Sequence, residues 1–276
     1  MITDDQTNFL YFSDKLLDRA RFYSAFIEIL KTSKINFDLL PFTNDIWCRD
    51  YMPIQASMNR FIQFVYKPNY LQSKKWIHTQ TNPTLACDYL QIKPEECKLK
   101  LDGGNVIKGR TWAIITDKVF SENKHLTRKQ IMTELEEIFQ VNLIIIPKEP
   151  NEMTGHADGM VRFYNSDTVL INHYDRTVSE NFKIKLKRAL KNGGLDNIEI
   201  PFAPAGSTHE ASDGLYINFL HMKDLMLIPT FKIKEDERAV KLFEQLYPGR
   251  CIKTIDSREI SKDGGVLNCI TWNIMK

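Results

Sequence analysis

Hydrophobic spacing along this chain changes period repeatedly, and the changes come in a fixed order. Residues 105–108 and 111–120 are two short β-favouring runs. From Thr127 the spacing turns helical, with Ile131, Leu135, Ile138 and Phe139 on one stripe, and 141–147, rich in isoleucine, reads as a fully buried strand. Thr127 and Gln130 stand at capping-box spacing and mark the helix start. The order then returns. Runs 160–164 and 168–174 read as strands, a helix from Ser179 carries Phe182, Leu186, Ala189 and Leu190, Gly193-Gly194 stops it, and 198–202 closes the pass. A third pass has strands 215–221 and 225–231, a helix capped by Asp236 and ended by Pro248-Gly249, and strand 251–256. Three consecutive stretches therefore read β-β-α-β.

Two further passes are incomplete. Residues 53–55, 60–66 and 98–101 fit three strands, but 69–94 between them shows weak helical periodicity. The last pass holds only 266–274. Its missing parts lie at the other terminus: a strand at 8–12, a helix from Ser13 with Leu16, Ala20, Ile27 and Leu30, and a strand at 35–40. An acidic residue punctuates each unit, at Asp50, Asp102, Asp158, Asp213 and Asp263, with gaps of 52, 56, 55 and 50 residues and a glycine directly after the last four. A long fixed period marks a supersecondary unit that buries its apolar face only against its neighbours. The expected fold is α/β, a five-fold pseudo-symmetric ring of ββαβ units closed by the two termini, with residues 1–276 as a single domain. Asp-Gly is also a favoured turn dipeptide, so the period by itself could be a set of ordinary turns.

Composition narrows the function classes. The 37 basic and 35 acidic residues leave a net charge of +2, which gives no electrostatic case for nucleic acid or an anionic membrane. No apolar run is long enough to span a bilayer, and residues 1–10 lack the basic start and apolar core of a signal peptide. Five cysteines without CxxC spacing suggest a reduced, cytoplasmic protein.

The unit boundaries carry the residues with chemistry. Cys269 lies in an apolar run after Gly264-Gly265, read here as a strand. Alone it is as readily a buried structural thiol, but glycines that admit close approach and a histidine from elsewhere make it a candidate nucleophile. His156 and Asp158 sit two apart and would share one face of a strand. They could supply two metal ligands, with His209-Glu210 the only nearby cluster, or an acid/base beside a carboxylate for a metal-free thiol mechanism. Strand alternation would send Asp50 toward the axis and Arg49 into the packed side. Asp102 before Gly103-Gly104 is either a turn residue or a site residue.

Taken together these segments resemble a known family. Trp47-Cys48-Arg49-Asp50 with Pro53, Asp102-Gly103-Gly104-Asn105, Gly155-His156-Ala157-Asp158 and Cys269-Ile270-Thr271 after the glycine pair are similar to agmatine deiminases and bacterial peptidylarginine deiminases. Asn218 within 212–219 and Tyr247-Pro248-Gly249-Arg250 extend the match. The resemblance implies the pentein fold of the guanidino-group-modifying enzymes and a deiminase. Such an enzyme attacks a guanidinium carbon through a covalent thiouronium and releases ammonia, with no metal or cofactor. Agmatine, converted to N-carbamoylputrescine, is the expected substrate. Arginine, peptidyl-arginine or another alkylguanidine, or a non-catalytic guanidine-binding role, are the alternatives. Carried over, Cys269 is the nucleophile, His156 the general acid/base, and Asp50 and Asp158 the guanidinium ligands. Trp47, Asp102 and Asn218 complete the substrate site. Asp102 stands where agmatine deiminases commonly carry the longer glutamate. Asn268 stands where they usually have histidine, and as a strand neighbour of Cys269 it is expected to face away from the nucleophile.

Overall fold

Three short strands and one amphipathic helix cannot enclose a core alone, so each β-β-α-β stretch needs neighbours. The computed structural model describes residues 1–150, 152–175, 178–204 and 212–276, and these form five three-stranded sheets. In chain order from residue 54 they are β3 (Ile54–Ser57), β4 (Arg60–Val65) and β5 (Glu95–Lys100); β6 (Val106–Lys108), β7 (Trp112–Thr116) and β8 (Asn142–Ile146); β9 (Val161–Phe163), β10 (Thr168–Asn172) and β11 (Asp196–Ile200); β12 (Leu220–His221), β13 (Met226–Thr230) and β14 (Ile252–Asp256). The fifth joins the termini: β15 (Trp272–Ile274) pairs antiparallel with β1 (Phe9–Ser13), which pairs parallel with β2 (Asn36–Leu40). In every sheet the middle strand runs antiparallel to one neighbour and parallel to the other.

A crossover helix serves each parallel pair and buries one stripe against its sheet. α1 (Ala20–Thr32) buries Phe22, Phe26 and Leu30. α5 (Arg128–Phe139) buries Ile131, Leu135 and Phe139, α6 (Glu180–Asn192) buries Phe182, Leu186 and Leu190, and α7 (Glu235–Leu246) buries Ala239 and Phe243. In the unit of β3, β4 and β5 the crossover is broken into short pieces, of which α3 (Pro83–Tyr89) is the longest, which accounts for the weak periodicity there.

The ring closes through its inner turns. The one-turn helix α2 (Cys48–Tyr51) touches the 3-10 turn Gly103–Asn105, which touches Ala157–Gly159, which touches Tyr216–Asn218. Asn268 N donates to Asn218 O at 3.1 Å, and Arg49 N donates to Cys269 O at 3.1 Å, so the turn at 266–270 joins the fourth unit back to the first.

Several local expectations need correction. Run 111–120 is a strand only to Thr116, and α4 (Lys118–Glu122) follows. β11 begins and ends two residues before the expected 198–202. Run 215–221 holds the 3-10 turn Tyr216–Asn218 and is a strand only at Leu220–His221. The α1 stripe is Phe22, Phe26 and Leu30, not Ala20 and Ile27, because Ser13 caps a separate 3-10 turn at Asp14–Asp18. Lys234, not Asp236, is the α7 cap residue, although the Asp236 carboxylate accepts from Phe231 N and Ile233 N just ahead of the helix. Most consequentially, 266–274 is a strand only from Trp272, and Cys269 sits in a turn.

Candidate active site

Inner turns place side chains without strand alternation, and here they aim five of them at one point. Asp50 comes from α2, Gly104 from the second inner turn, His156 and Asp158 from the third, Asn218 from the fourth, and Cys269 from the fifth. The punctuating acids are thus equivalent only three times. At the fourth and fifth positions the ring presents Asn218 and Cys269, while Asp213 and Asp263 stand farther out on the rim of the same cavity. Asp213 accepts from Ser261 Oγ, and Asp263 pairs with Arg19 at 2.6 Å. The cavity has a volume of about 690 Å³ and reaches Cys269, Asp50, His156, Asp158, Asn218 and Trp47.

Asp158 anchors the sulfur side. Its Oδ2 accepts from Asn268 Nδ2 at 2.7 Å and Asn218 Nδ2 at 3.1 Å, and lies 3.5 Å from Cys269 Sγ. Asn218 Nδ2 also lies 3.2 Å from Sγ, and its Oδ1 accepts from Cys269 N at 3.3 Å and Asn268 N at 3.1 Å. Asn268 therefore faces the site, contrary to the expectation that it points away. The reason is the turn, in which adjacent side chains need not alternate. Burial, with Asp158 and Asp50 close by, holds the Cys269 thiol well above its ordinary value and so favours the protonated sulfur.

Asp50 anchors the other side. Arg49 does point away, as expected, and its Nε donates to Asn268 O at 3.2 Å, clamping the turn that carries Cys269. Asp50 Oδ1 accepts from Gly104 N at 3.1 Å and lies 3.4 Å from His156 Nδ1. Only glycine fits at 104, because a Cβ there would stand 2.4 Å from Asp50 Oδ1 and 2.8 Å from His156 Nδ1. Gly265 serves likewise: a Cβ there would stand 2.5 Å from the Trp47 ring, which packs beside Cys269. Burial pushes the Asp50 carboxyl up to about 7; His156 opposes this, and Asp102 and Asp158 add to it.

Asp102 lies behind the histidine and not on the cavity wall. Its Oδ2 takes His156 Nε2 at 2.8 Å and Lys118 Nζ at 2.8 Å, so the aspartate reaches the ring despite being one methylene shorter than glutamate. Expected among the substrate-site residues, it is found here against the His156 ring. Burial would raise Asp102, but His156 and Lys118 together hold it below its ordinary value. Both ring nitrogens of His156 thus face carboxylates. Burial disfavours the imidazolium, yet Asp50 and Asp102 outweigh it and raise the histidine to about 9. Lys118, at the start of α4, escaped the sequence reading because it lies inside a run taken for a strand. It is almost fully buried, 3.5 Å from Glu122 and over the Tyr70 ring at 5.0 Å. His209 and Glu210, the residues considered for a metal site, lie outside the described residues.

A relative from Pectobacterium atrosepticum, carrying an inferred agmatine deiminase name, is 24% identical over 286 residues, covering 88% of this chain and 78% of that protein. The structure of a Cys-to-Ser variant of C. jejuni agmatine deiminase with substrate bound superposes with a TM-score of 0.82 at 22% identity, covering 100% of this chain and 96% of the other. Agmatine deiminase of Enterococcus faecalis gives 0.78 at 16% identity, covering 100% and 95%. These likenesses share the fold. The family model of Porphyromonas-type peptidyl-arginine deiminases matches residues 2–274, and the chain accordingly belongs to that family.

Proposed function

We propose that the whole chain is one catalytic unit, a cytoplasmic hydrolase that deiminates agmatine to N-carbamoylputrescine without a metal or organic cofactor. The observation that carries this reading is the convergence of Cys269 Sγ on Asp158 at 3.5 Å, with Asp50 and His156 3.4 Å apart across the same cavity. A guanidinium is planar and cationic, and two carboxylates can fix its plane by charge-assisted hydrogen bonds. Asp50 and Asp158 take that role and hold the carbon over Cys269. Burial and the two carboxylates together keep the thiol protonated; the incoming cation offsets the carboxylate charges, so binding the substrate favours the thiolate, whose proton passes to solvent.

Sγ then forms a bond to the guanidinium carbon. His156, anchored through Nε2 by Asp102, delivers its Nδ1 proton to the departing nitrogen, the C–N bond breaks, and ammonia leaves. A thiouronium remains. The neutral histidine takes one proton from water, whose oxygen attacks the same carbon; the C–S bond breaks, the remaining hydroxyl proton passes to the sulfur, and the ureido product departs with the thiol restored. Asn218 and Asn268 keep Asp158 aimed throughout, and Trp47 walls the sulfur side.

Agmatine is favoured over arginine by the cavity wall. Glu149, Glu152, Asp213 and Asp263 line it, and no lysine or arginine does among the described residues. A second ammonium suits that wall, and an α-carboxylate does not. Ammonia release from agmatine, arginine, a peptide with C-terminal arginine and a methylated arginine tests this. Agmatine should show the highest kcat/KM by at least tenfold, and equal or better turnover of arginine would refute the assignment. Cys269→Ala should abolish turnover while agmatine affinity stays within several-fold.

A further inference from the structure

The Tyr-Pro-Gly-Arg stretch at 247–250 plays no part in the chemistry above, and the fold carries it to the opposite end of the ring axis. β6 leads from the Gly104 turn outward to Lys108, β9 carries Arg162 away from Asp158, and β12 leads from Asn218 to His221. Their outer ends, with Tyr247 and Arg250 from beyond α7, enclose a second cavity of about 430 Å³. No described residue lines both cavities. Three residues of strand separate their walls, about 10 Å.

Charge in this second cavity is not balanced. Lys108, Arg110, Arg162 and Arg250 line it against Asp4 and Asp5. Asp4 alone serves two of the cations, Lys108 at 3.0 Å and Arg162 at 2.6 Å. Among the described residues, Arg250 has only neutral partners, donating to His221 Nε2 at 3.1 Å and Met222 O at 3.0 Å. Among the same residues, buried Arg49 beneath it also donates only to neutral oxygens, Asn268 O and Asn273 Oδ1. The surplus tells on several titratable neighbours. His221 is driven down to about 4 by burial and by Arg162 and Arg250. Lys108 is lowered by burial and by Arg49 and Arg162, and the terminal amine by burial and Lys108. The Tyr247 hydroxyl, within reach of the fields of Arg162 and Arg250, is buried without a hydrogen-bond partner among the described residues.

We propose that this cavity binds a small doubly charged oxyanion, with Arg250, Arg162, Lys108 and Arg110 as its cationic walls. A guanidinium facing an imidazole and a carbonyl has donors to spare, and several arginines approaching from different strands suit the tetrahedral oxygens of a phosphate group better than the planar pair of one carboxylate. The ligand would be phosphate itself or a phosphate monoester. It is a site independent of the deiminase reading, because the test reads binding alone.

Titration calorimetry of the full chain in low-salt buffer near pH 7.5 should show one saturable site for inorganic phosphate. Methyl phosphate as a second arm decides whether a monoester is accepted, and malonate tests the dicarboxylate. Arg250→Gln should weaken phosphate at least tenfold. Arg110→Ser, an exposed rim position whose loss should not disturb folding, should weaken it several-fold. Unchanged affinity in both variants, tighter binding of malonate than of either phosphate, or a heat that chloride reproduces at equal ionic strength would overturn the site.

Discussion

Replacing Asp50 with asparagine should make the protein more stable and nearly inactive, and the gain in stability should exist only at neutral and alkaline pH. Asp50 is 8% exposed, and burial lifts its carboxyl from the ordinary 3.8 to about 7. An acid whose folded-state pKa exceeds its unfolded value favours the neutral form in the fold. Ionised Asp50 therefore costs nothing below about pH 4, costs progressively more between about 4 and 7, and costs its full amount above that. Each tenfold in the protonation equilibrium is ~1.4 kcal/mol, which sets an upper figure of about 4 kcal/mol. Asparagine avoids that cost but withdraws a partner from His156, leaving a net gain on the order of 2 kcal/mol at pH 8 and close to none at pH 5. For a chain of this size that is a rise of ~4–8 °C in Tm. Turnover moves the other way. Losing two charge-assisted hydrogen bonds to the guanidinium at ~1.5–3 kcal/mol each lowers kcat/KM by about 10²–10⁴. The wild-type kcat/KM profile should rise through about pH 7 and fall through about pH 9 as His156 loses its proton, and the rising limb should vanish in the variant. Thermal melts at pH 5 and 8 beside an ammonia assay measure all of this. A variant that melts lower than wild type at pH 8, or that keeps the rising limb, would refute the reasoning.

Lys118→Met removes a buried cation 2.8 Å from Asp102; stability should fall by about 3–5 kcal/mol in denaturant titration. Because Lys118 also lowers His156, the alkaline limb should move to higher pH. Gly104→Ala forces a methyl into Asp50 and His156, and kcat should drop about 100-fold, with the melting temperature reporting a packing cost of ~1–3 kcal/mol. Binding of a slowly reacting alkylguanidine at pH 8 should release about one proton per site, measured by calorimetry in buffers of different ionisation enthalpy, and Cys269→Ser should release none.

Much of the architecture was legible because it is local. The Thr127–Gln130 capping box forms as expected, with Gln130 N donating to Thr127 Oγ1 and Thr127 N to Gln130 Oε1, and Ser179 Oγ accepts from Phe182 N. The stripes of α5 and α6 face inward because a 3.6-residue period leaves them no other way to bury their leucines and phenylalanines. The inner strands were harder: β6, β9 and β15 span three residues each, too few for a period of two to declare itself against flanking turns. Lys118 was hidden because the run 111–120 reads as one strand where β7 ends at Thr116 and α4 begins, and Asn268 was assigned the wrong direction because Cys269 was placed on a strand.

Repeat length, helix stripes and the glycine-marked boundaries are properties of neighbouring residues, so the sequence alone determined the five units and the meeting of the termini. Which boundary residues meet is decided over separations of 50 residues and more, where only the closed ring supplies the distances. Tertiary structure replaced Asp213 and Asp263 with Asn218 and Cys269 at the axis, moved Asp102 behind His156, and set every protonation state there, because those depend on burial and on charges from other units.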